Sequence, residues 1–525
     1  MILIVFTVLT LIAAYGFWLL FKKAGRKGWE GVIPVYSQWI QSKILGKKAW
    51  HLILLIVPIV NVFVFYNLYL DFIHCFGKRR FWENCAAVLV PFIVLPLWGK
   101  DKNVQFLSGL YAKNLRAANA EGRGTTTESE LEIAHESYVD YSKKYPYKKS
   151  MVREWADAIV FATVAATLIR GFLLEAFMIP SGSMQQSLLI GDYLFVSKLN
   201  YGPRIPNTPI AFPFAHHTMP LIGGKAFSEL IKIPYKRLPG FQEIKRNDVI
   251  VFNAPAGDKV AVENQDIPYY DLVRSMGREA VHQQFTIQTR PVDKREHLIK
   301  RCVGMPGDKI SMKEGVLFVN DKLGFVAPES QMDYTVITDE TGLDEQRLKD
   351  MGIEVSAIQP GVYLIFLTND QAAMVKSWSN VKSMQMNLRK PGEAEANTFP
   401  NDPQYKWNYD NFGPFVIPKK GMAISLNAQT LPLYARAISV YEKNLLEQKS
   451  DGVYINGRRT DSYTFKMDYY WMMGDNRHNS LDARDWGFVP EDHIVGKALF
   501  TWMSWNADGN GLSKIRWNRI FKGIH

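Results

Sequence analysis

Apolar positions follow two regimes along this chain of 525 residues. In the N-terminal third they form long uninterrupted runs, and beyond Ile179 they come as short runs of Val, Ile, Phe and Tyr cut by turn residues. Ile2 to Phe21 is an almost unbroken apolar run of spanning length, followed at once by Lys22 and Lys23. It lacks the basic start and the cleavage site of a secretory leader, so a retained membrane helix is expected. Leu52 to Leu70 is a second uncharged segment, with Pro58, Asn61 and Asn67 inside it. The third, Cys85 to Trp98, contains Pro91 and Pro96 and reaches spanning length only when extended back to Phe81. Ala156 to Leu174 is a fourth, with Arg170 near its end, where a long side chain can reach the interface.

The second regime predicts a mainly β domain. Strands are expected at Tyr193 to Val196, Val249 to Phe252, Val316 to Val319, Val362 to Leu367 and Met422 to Leu426. Asn320-Asp321 and Asn456-Gly457 each favour the positive φ of a tight hairpin turn. Helices are expected over Glu340 to Met351 and Asn369 to Val381, inside a long insertion, and Pro203 to Pro239 reads as an extended excursion.

Charge orients these pieces. The segment from Lys22 to Ala49 carries seven basic residues against the single acid Glu30, which places it in the cytoplasm. Lys143, Lys144, Lys148, Lys149 and Arg153 hold the start of the fourth segment on the same side, so the chain after it should lie outside. The Lys78-Arg79-Arg80 cluster opposes that rule unless the segments around it are re-entrant or interfacial. The expected organisation is a membrane region over 1–99 and a polar cytoplasmic linker over 100–154, with its least hydrophobic run at Glu121 to Glu130. An outward-running helix over 155–176 then leads to a β-rich domain over 177–525, with an insertion at about 323–450. A net charge of +11 does not choose among nucleic acid, anionic lipid and an extracytoplasmic surface, and Cys75, Cys85 and Cys302 suggest neither a disulfide framework nor a zinc site. The adjacent His216 and His217 would point to opposite sides of a strand and are not read as metal ligands.

Three stretches carry chemistry. Phe177-Met178-Ile179-Pro180-Ser181-Gly182-Ser183-Met184 sets a serine in a tight turn just after the fourth apolar segment. The second, His297 to Lys309, places Lys300 beside Leu298 and Ile299, where burial could lower its pKa enough for a general base. The third, Met473 to Gly487, is rich in Asp and Arg suited to a buried ion-pair frame.

In this order, after an outward-running helix, the stretches resemble those of bacterial type I signal peptidases, the leader peptidases. The family pattern Pro-Ser-x-Ser-Met is matched by Pro180 to Met184, and Lys-Arg-x-x-Gly-x-Pro-Gly-Asp by Lys300 to Asp308. Gly-Asp-Asn-x-x-x-Ser-x-Asp-Ser-Arg is matched by Gly474 to Arg484, with Ala483 in place of serine. A fourth pattern, Arg-Gly-Asp before an apolar strand, appears as Arg246-Asn247-Asp248, and Gln185-Gln186-Ser187 departs from the usual continuation after Met184. The resemblance implies a membrane-bound serine endopeptidase of mainly β fold that removes signal peptides after small residues through an acyl-enzyme, without cofactor or metal. It implies Ser183 as nucleophile, Lys300 as base, Ser181 as an oxyanion donor and Ser480 as the group that orients Lys300. Phe177, Ile179, Pro180, Met184, Leu188, Leu298 and Ile299 would line the substrate pockets, and Gly474, Asp475, Arg477, Asp482 and Arg484 would be scaffold. Its expected partners are preproteins, membrane phospholipids and a nearby secretion translocon, with no nucleic acid. The expected location is the bacterial inner membrane, multi-pass, with the catalytic domain periplasmic. A catalytically silent scaffold and a soluble Ser/Lys self-cleaving regulator are the competing readings; the persistence of all the dyad residues argues against the first and the apolar segments against the second.

Overall fold

Proline decides how the N-terminal apolar runs fold. The computed structural model describes residues 2–57, 60–106, 149–220, 222–353, 355–507, 509 and 511–525, in two units, Met1–Ala165 and Ala166–His525. In the first unit Ile2–Lys23 is one continuous helix, as expected. The expected second span is not one: Ala49–Ile56 is a 3₁₀ helix, Val57 is extended, and a separate helix runs over Val60–His74. Val57 precedes Pro58, and the residue before a proline is disfavoured in the helical region. The third is likewise broken at Val90, ahead of Pro91, into Phe81–Leu89 and Pro91–Lys100, bent by 116°. That is the geometry of a broken span or a re-entrant loop. Close approach of Ile2–Lys23 to Pro91–Lys100 requires glycine: a Cβ on Gly16 would lie 2.5 Å from Leu95 Cβ, and one on Gly99 would lie 2.6 Å from Leu19 Cβ.

Among the described residues one helix, Met151–Phe172, is long and apolar enough to cross a membrane, or two if the bent pair counts as one span. An anchor of four spans is therefore not what the structure displays. The helix ends earlier than expected, because Leu174–Met178 is already a strand paired with Asp192–Ser197. Arg170 forms an ion pair with the buried Glu175 at 2.6 Å, and Lys198 engages the same carboxylate at 2.8 Å. Most of the expected linker falls on residues 107–148, outside the described residues.

The second unit is mainly β, as expected. Its largest sheet has eight strands, in the order Leu174–Met178, Asp192–Ser197, Ile494–Ser504, Val249–Asn253, His297–Gly304, Tyr469–Met473 and Val489–Pro490, with Lys522–Gly523 on the edge of Ile494–Ser504. The sheet thus brings the serine, lysine and Asp/Arg stretches together from positions more than a hundred residues apart. One face covers a core of Ile179, Met184, Leu188, Leu194, Val196, Val249 and Val251, the other a core of Ile250, Phe252, Cys302 and Met472. Both hairpins form where turn chemistry placed them, with φ of 53° and 61° at Asn320 and Asp321 and 51° at Asn456. Both expected helices are shorter than read. Glu345–Asp350 starts at its Asp344 cap, and Asn369–Lys376 starts at a Thr368/Gln371 capping box. Within the insertion, Met332–Thr338, Val355–Gln359, Val362–Leu367 and Val381–Met386 make a separate four-stranded sheet with a core of its own around Val336, Leu348, Ile365 and Val375.

Candidate active site

Ser183 lies in a single 3₁₀ turn, Gly182–Met184, entered from the strand Leu174–Met178. The turn is pinned from below by Met184, which is fully buried in the core, and from the side by Asn476. Asn476 donates from its backbone N–H to the Ser183 carbonyl at 3.1 Å and from Nδ2 to the Gly182 carbonyl at 3.1 Å. Ser181 caps the turn in extended conformation, and its exposed hydroxyl makes no cap hydrogen bond.

Lys300 arrives from the strand His297–Gly304, in register with Ile250. Its Nζ donates to Ser183 Oγ at 2.6 Å. The side chain is almost completely buried, and loss of hydration pushes its pKa down to about 8, against the opposing pull of Asp482 and Asp475. A lysine in that state is part neutral near physiological pH, and the neutral amine has a lone pair able to accept a proton from a hydroxyl at this distance.

The frame behind the pair consists of two buried ion pairs. Asp475 receives both Nε and Nη2 of Arg301, at 2.9 and 2.6 Å, and also the Ser187 hydroxyl at 2.6 Å. Asp482 receives Nε and Nη2 of Arg484, at 2.9 and 2.8 Å, and the Gly474 N–H at 3.0 Å. Gly474 has no room for a side chain: a Cβ there would lie 2.2 Å from Ser480 Oγ and 2.5 Å from the Ser183 carbonyl oxygen. Asn247, where the family pattern has glycine, takes φ 72°, a left-handed conformation that asparagine tolerates, and its carbonyl accepts from Arg301 Nη1 at 2.9 Å.

Several expected roles change. Ser480 Oγ is buried beside the turn but makes no hydrogen bond among the described residues, so the orienting bond to Lys300 is not formed. Arg477 does not join the ion-pair frame: among the described residues its guanidinium reaches only Met473 Sδ, at 3.8 Å, and its Nε and Nη2 have no hydrogen-bond partner. Burial accordingly pushes its pKa down to about 10. Of the seven pocket residues, Ile179, Met184 and Leu188 are buried in the core beneath the turn, whereas Phe177, Pro180, Leu298 and Ile299 keep accessible surface. Adjacent strand residues face opposite ways, so Ile299 packs into the core that holds Met184 while Leu298 packs into the core around Ile250 and Phe252. The sequence reading missed Asn476 and Arg301 as site residues, although both stand inside its quoted motifs. Their signal was the fixed neighbour of a named residue: Asn476 follows Asp475, and Arg301 follows Lys300.

Comparison with known proteins places this geometry in a family. Residues 152–373 and 416–505 match the family described as signal peptidase, peptidase S26. Residues 29–108 match a family of unknown function, DUF5684. Curated relatives include signal peptidase I of Buchnera aphidicola subsp. Baizongia pistaciae, 23% identical over 386 residues covering 72% of this chain and 86% of the relative. Signal peptidase I of Buchnera aphidicola subsp. Acyrthosiphon pisum is 24% identical over 387 residues, covering 74% and 85%. That of Rickettsia massiliae is 22% identical over 395 residues, covering 72% and 94%. The family match takes in more than half of the chain, with Ser183, Lys300 and Ser480 all inside it, and the chain therefore belongs to the signal peptidase family, peptidase S26.

Proposed function

We propose that this peptidase cleaves signal peptides from exported preproteins after small residues, using Ser183 as nucleophile and Lys300 as general base. The observation that carries the reading is the 2.6 Å contact between Lys300 Nζ and Ser183 Oγ, with the lysine buried. Neutral Lys300 takes the Ser183 proton as Oγ attacks the scissile carbonyl. The oxyanion that forms meets the Ser183 N–H and the Ser181 hydroxyl, the Lys300 ammonium returns the proton to the leaving amine, and water then releases the acyl group by the same route. The exposed Pro180 and the partly exposed Phe177 and Ile299 offer shallow apolar surface suited to small side chains.

Because Met151–Phe172 ends two residues before the strand that leads to Ser183, a span there would hold the nucleophile close to the bilayer. A substrate tethered by its own membrane-embedded signal then reaches the site at raised effective concentration. We place the protein in the bacterial inner membrane, multi-pass, with this unit on the periplasmic side, in contact with phospholipids and near the translocon.

The test is cleavage, by the full chain in detergent, of a preprotein with an Ala-x-Ala site, followed by N-terminal sequencing. A product starting after the second alanine supports the reading, and an intact preprotein overturns it. In the same assay kcat/KM should rise as pH is raised through about 8, the value to which burial lowers Lys300, since only the neutral amine accepts the proton. A profile already level below neutrality would remove Lys300 as base. Ser181→Ala should cost about 100-fold to 1,000-fold in kcat with little change in KM, the usual effect of losing one oxyanion donor. A wild-type rate in that variant would take Ser181 out of the oxyanion site.

A further inference from the structure

The loop that carries Asp475 and Ser480 also carries a histidine that neither the proposed mechanism nor the ion-pair frame uses. The His478 side chain is buried, 1% exposed, and both of its ring nitrogens face carboxylates. Nδ1 meets Asp333, at the start of the inserted sheet, and Nε2 meets Asp410 Oδ1 at 2.7 Å. A neutral imidazole has one N–H, so donation to both carboxylates requires the imidazolium.

The surroundings support that charge state. Asp410 also accepts from the Arg389 backbone N–H at 2.9 Å and lies 3.6 Å from the Arg389 guanidinium, which Glu395 shares at 3.0 Å. Asp333 has a second partner in Asn387 Nδ2 at 3.3 Å. On the histidine's own loop, Asp475 is neutralised by Arg301 and Asp482 by Arg484, while Arg477 pairs with no carboxylate among the described residues. The two carboxylates outweigh burial and hold the His478 pKa above its ordinary value.

The same seam reaches the nucleophile. The inserted four-stranded sheet has its own apolar core and meets the catalytic loop through polar groups, whereas the later part of the insertion packs Phe399, Phe412 and Phe415 on Trp471. Gln331 N–H donates to the Asp475 carbonyl at 2.9 Å, Arg477 N–H donates to the Gln331 carbonyl at 2.9 Å, and Ser330 Oγ donates to the Asp475 carbonyl at 3.0 Å. Between Asp475 and Arg477 stands Asn476, which pins the Ser183 turn. A second tie runs from Gln186, just past the turn, to the Gly352 carbonyl at 2.9 Å.

We propose that His478 is a positioning residue: its imidazolium clamps the inserted sheet to the catalytic loop, so that the insertion holds the Ser183 turn in place while the ring is charged and loosens its hold when the ring loses its proton. The inference rests on the Ser183/Lys300 reading for its effect on rate, but not for the clamp itself. A histidine whose pKa is raised by folding contributes its stabilisation fully below the unfolded value and loses it as pH rises through the folded value. The insertion should therefore be tightly held at the acidic end of the working range and released towards the alkaline end.

The test compares His478→Gln and Asp333→Asn with the wild type, as full chains in detergent, across a pH series. The ratio of wild-type to His478→Gln kcat/KM is the readout, because the titration of Lys300 is common to both and cancels. The ratio should be on the order of tenfold to a hundredfold at low pH, the scale of a small misplacement of reacting groups, and fall towards one as the wild-type ring deprotonates. In Asp333→Asn the amide can donate to a neutral ring, so the activity of this variant relative to His478→Gln should stay level with pH. A ratio that is constant with pH, or one throughout, overturns the proposal. Amide hydrogen exchange at 330–338 and 474–480, corrected for intrinsic rates and run also in Ser183→Ala, reads the clamp without catalysis. Protection that falls with pH in Ser183→Ala but not in Ser183→Ala/Asp333→Asn supports the clamp even if the dyad assignment fails. Protection independent of pH in both overturns it, and this arm decides the matter should His478→Gln not fold.

Discussion

Ser183→Ala is expected to lower kcat for preprotein cleavage by about 10⁴-fold to 10⁶-fold, the range seen when a serine nucleophile is removed. Lys300→Met should fall in the same range, because methionine fills the lysine site but has no lone pair able to take the serine proton. The two groups act on one proton, so the double variant should be no slower than the worse single one. Neither substitution should harm folding: Ser183 Oγ has one described partner, Lys300, and Lys300 is buried where an apolar side chain of similar length is tolerated. The measurement is single-turnover cleavage followed by gel mobility, with tryptophan fluorescence as a control for folding. Full-rate cleavage by either variant would remove the dyad, and an additive double variant would show that the two residues act in separate steps.

How far the sequence discloses this site depends on how local each interaction is. Hairpins at Asn320 and Asn456 were legible because two adjacent residues determine the turn. Ser183 and Lys300 stand out in the sequence because their strings occur together, in order and after an apolar segment, although the serine string is weak by itself. One ion pair of the frame is remote, Arg301 and Asp475 being 174 residues apart, and so is the contact outside the frame between His478 and Asp333, 145 residues apart. Nothing in a one-dimensional pattern indicates that Arg477 pairs with no carboxylate among the described residues while its neighbour in motif, Asp475, pairs with Arg301. The same limit explains the N-terminal unit. Apolar length suggests spans at Leu52 to Leu70 and Cys85 to Trp98, but the helix stops at Val57 and at Val90, each the residue before a proline, and hydropathy does not register that. Pocket residues are hard to assign from sequence for a third reason, since an apolar side chain beside a nucleophile can face substrate or core, and Met184 and Leu188 are buried in the core.

The other large effect expected is on stability. Arg301→Met should destabilise the β unit by about 3–5 kcal/mol, the cost of leaving a buried carboxylate without its cation. Asp475 is wholly buried, and without Arg301 its carboxylate keeps, among the described residues, only the Ser187 hydroxyl as a side-chain donor. Arg301 also gathers three segments: besides Asp475 it donates to the Asn247 carbonyl and, at 2.9 Å, to the His525 carbonyl at the end of the chain. Asp475→Asn is the milder break, because an amide can still accept from Arg301 and from Ser187. Replacing both partners, as Arg301→Met with Asp475→Leu, removes the stranded charge and should recover part of the loss, so the double variant is expected to be more stable than Arg301→Met alone. Thermal unfolding followed by tryptophan fluorescence suits the question, since Trp471 is buried on the strand that leads into Asp475. If Arg301→Met unfolds with the wild type, the Asp475 carboxylate must find another cation, and the buried Arg477, with two nitrogens unbonded among the described residues, is the group placed to supply it. Adding Arg477→Met to Arg301→Met would then produce the loss that the single change did not.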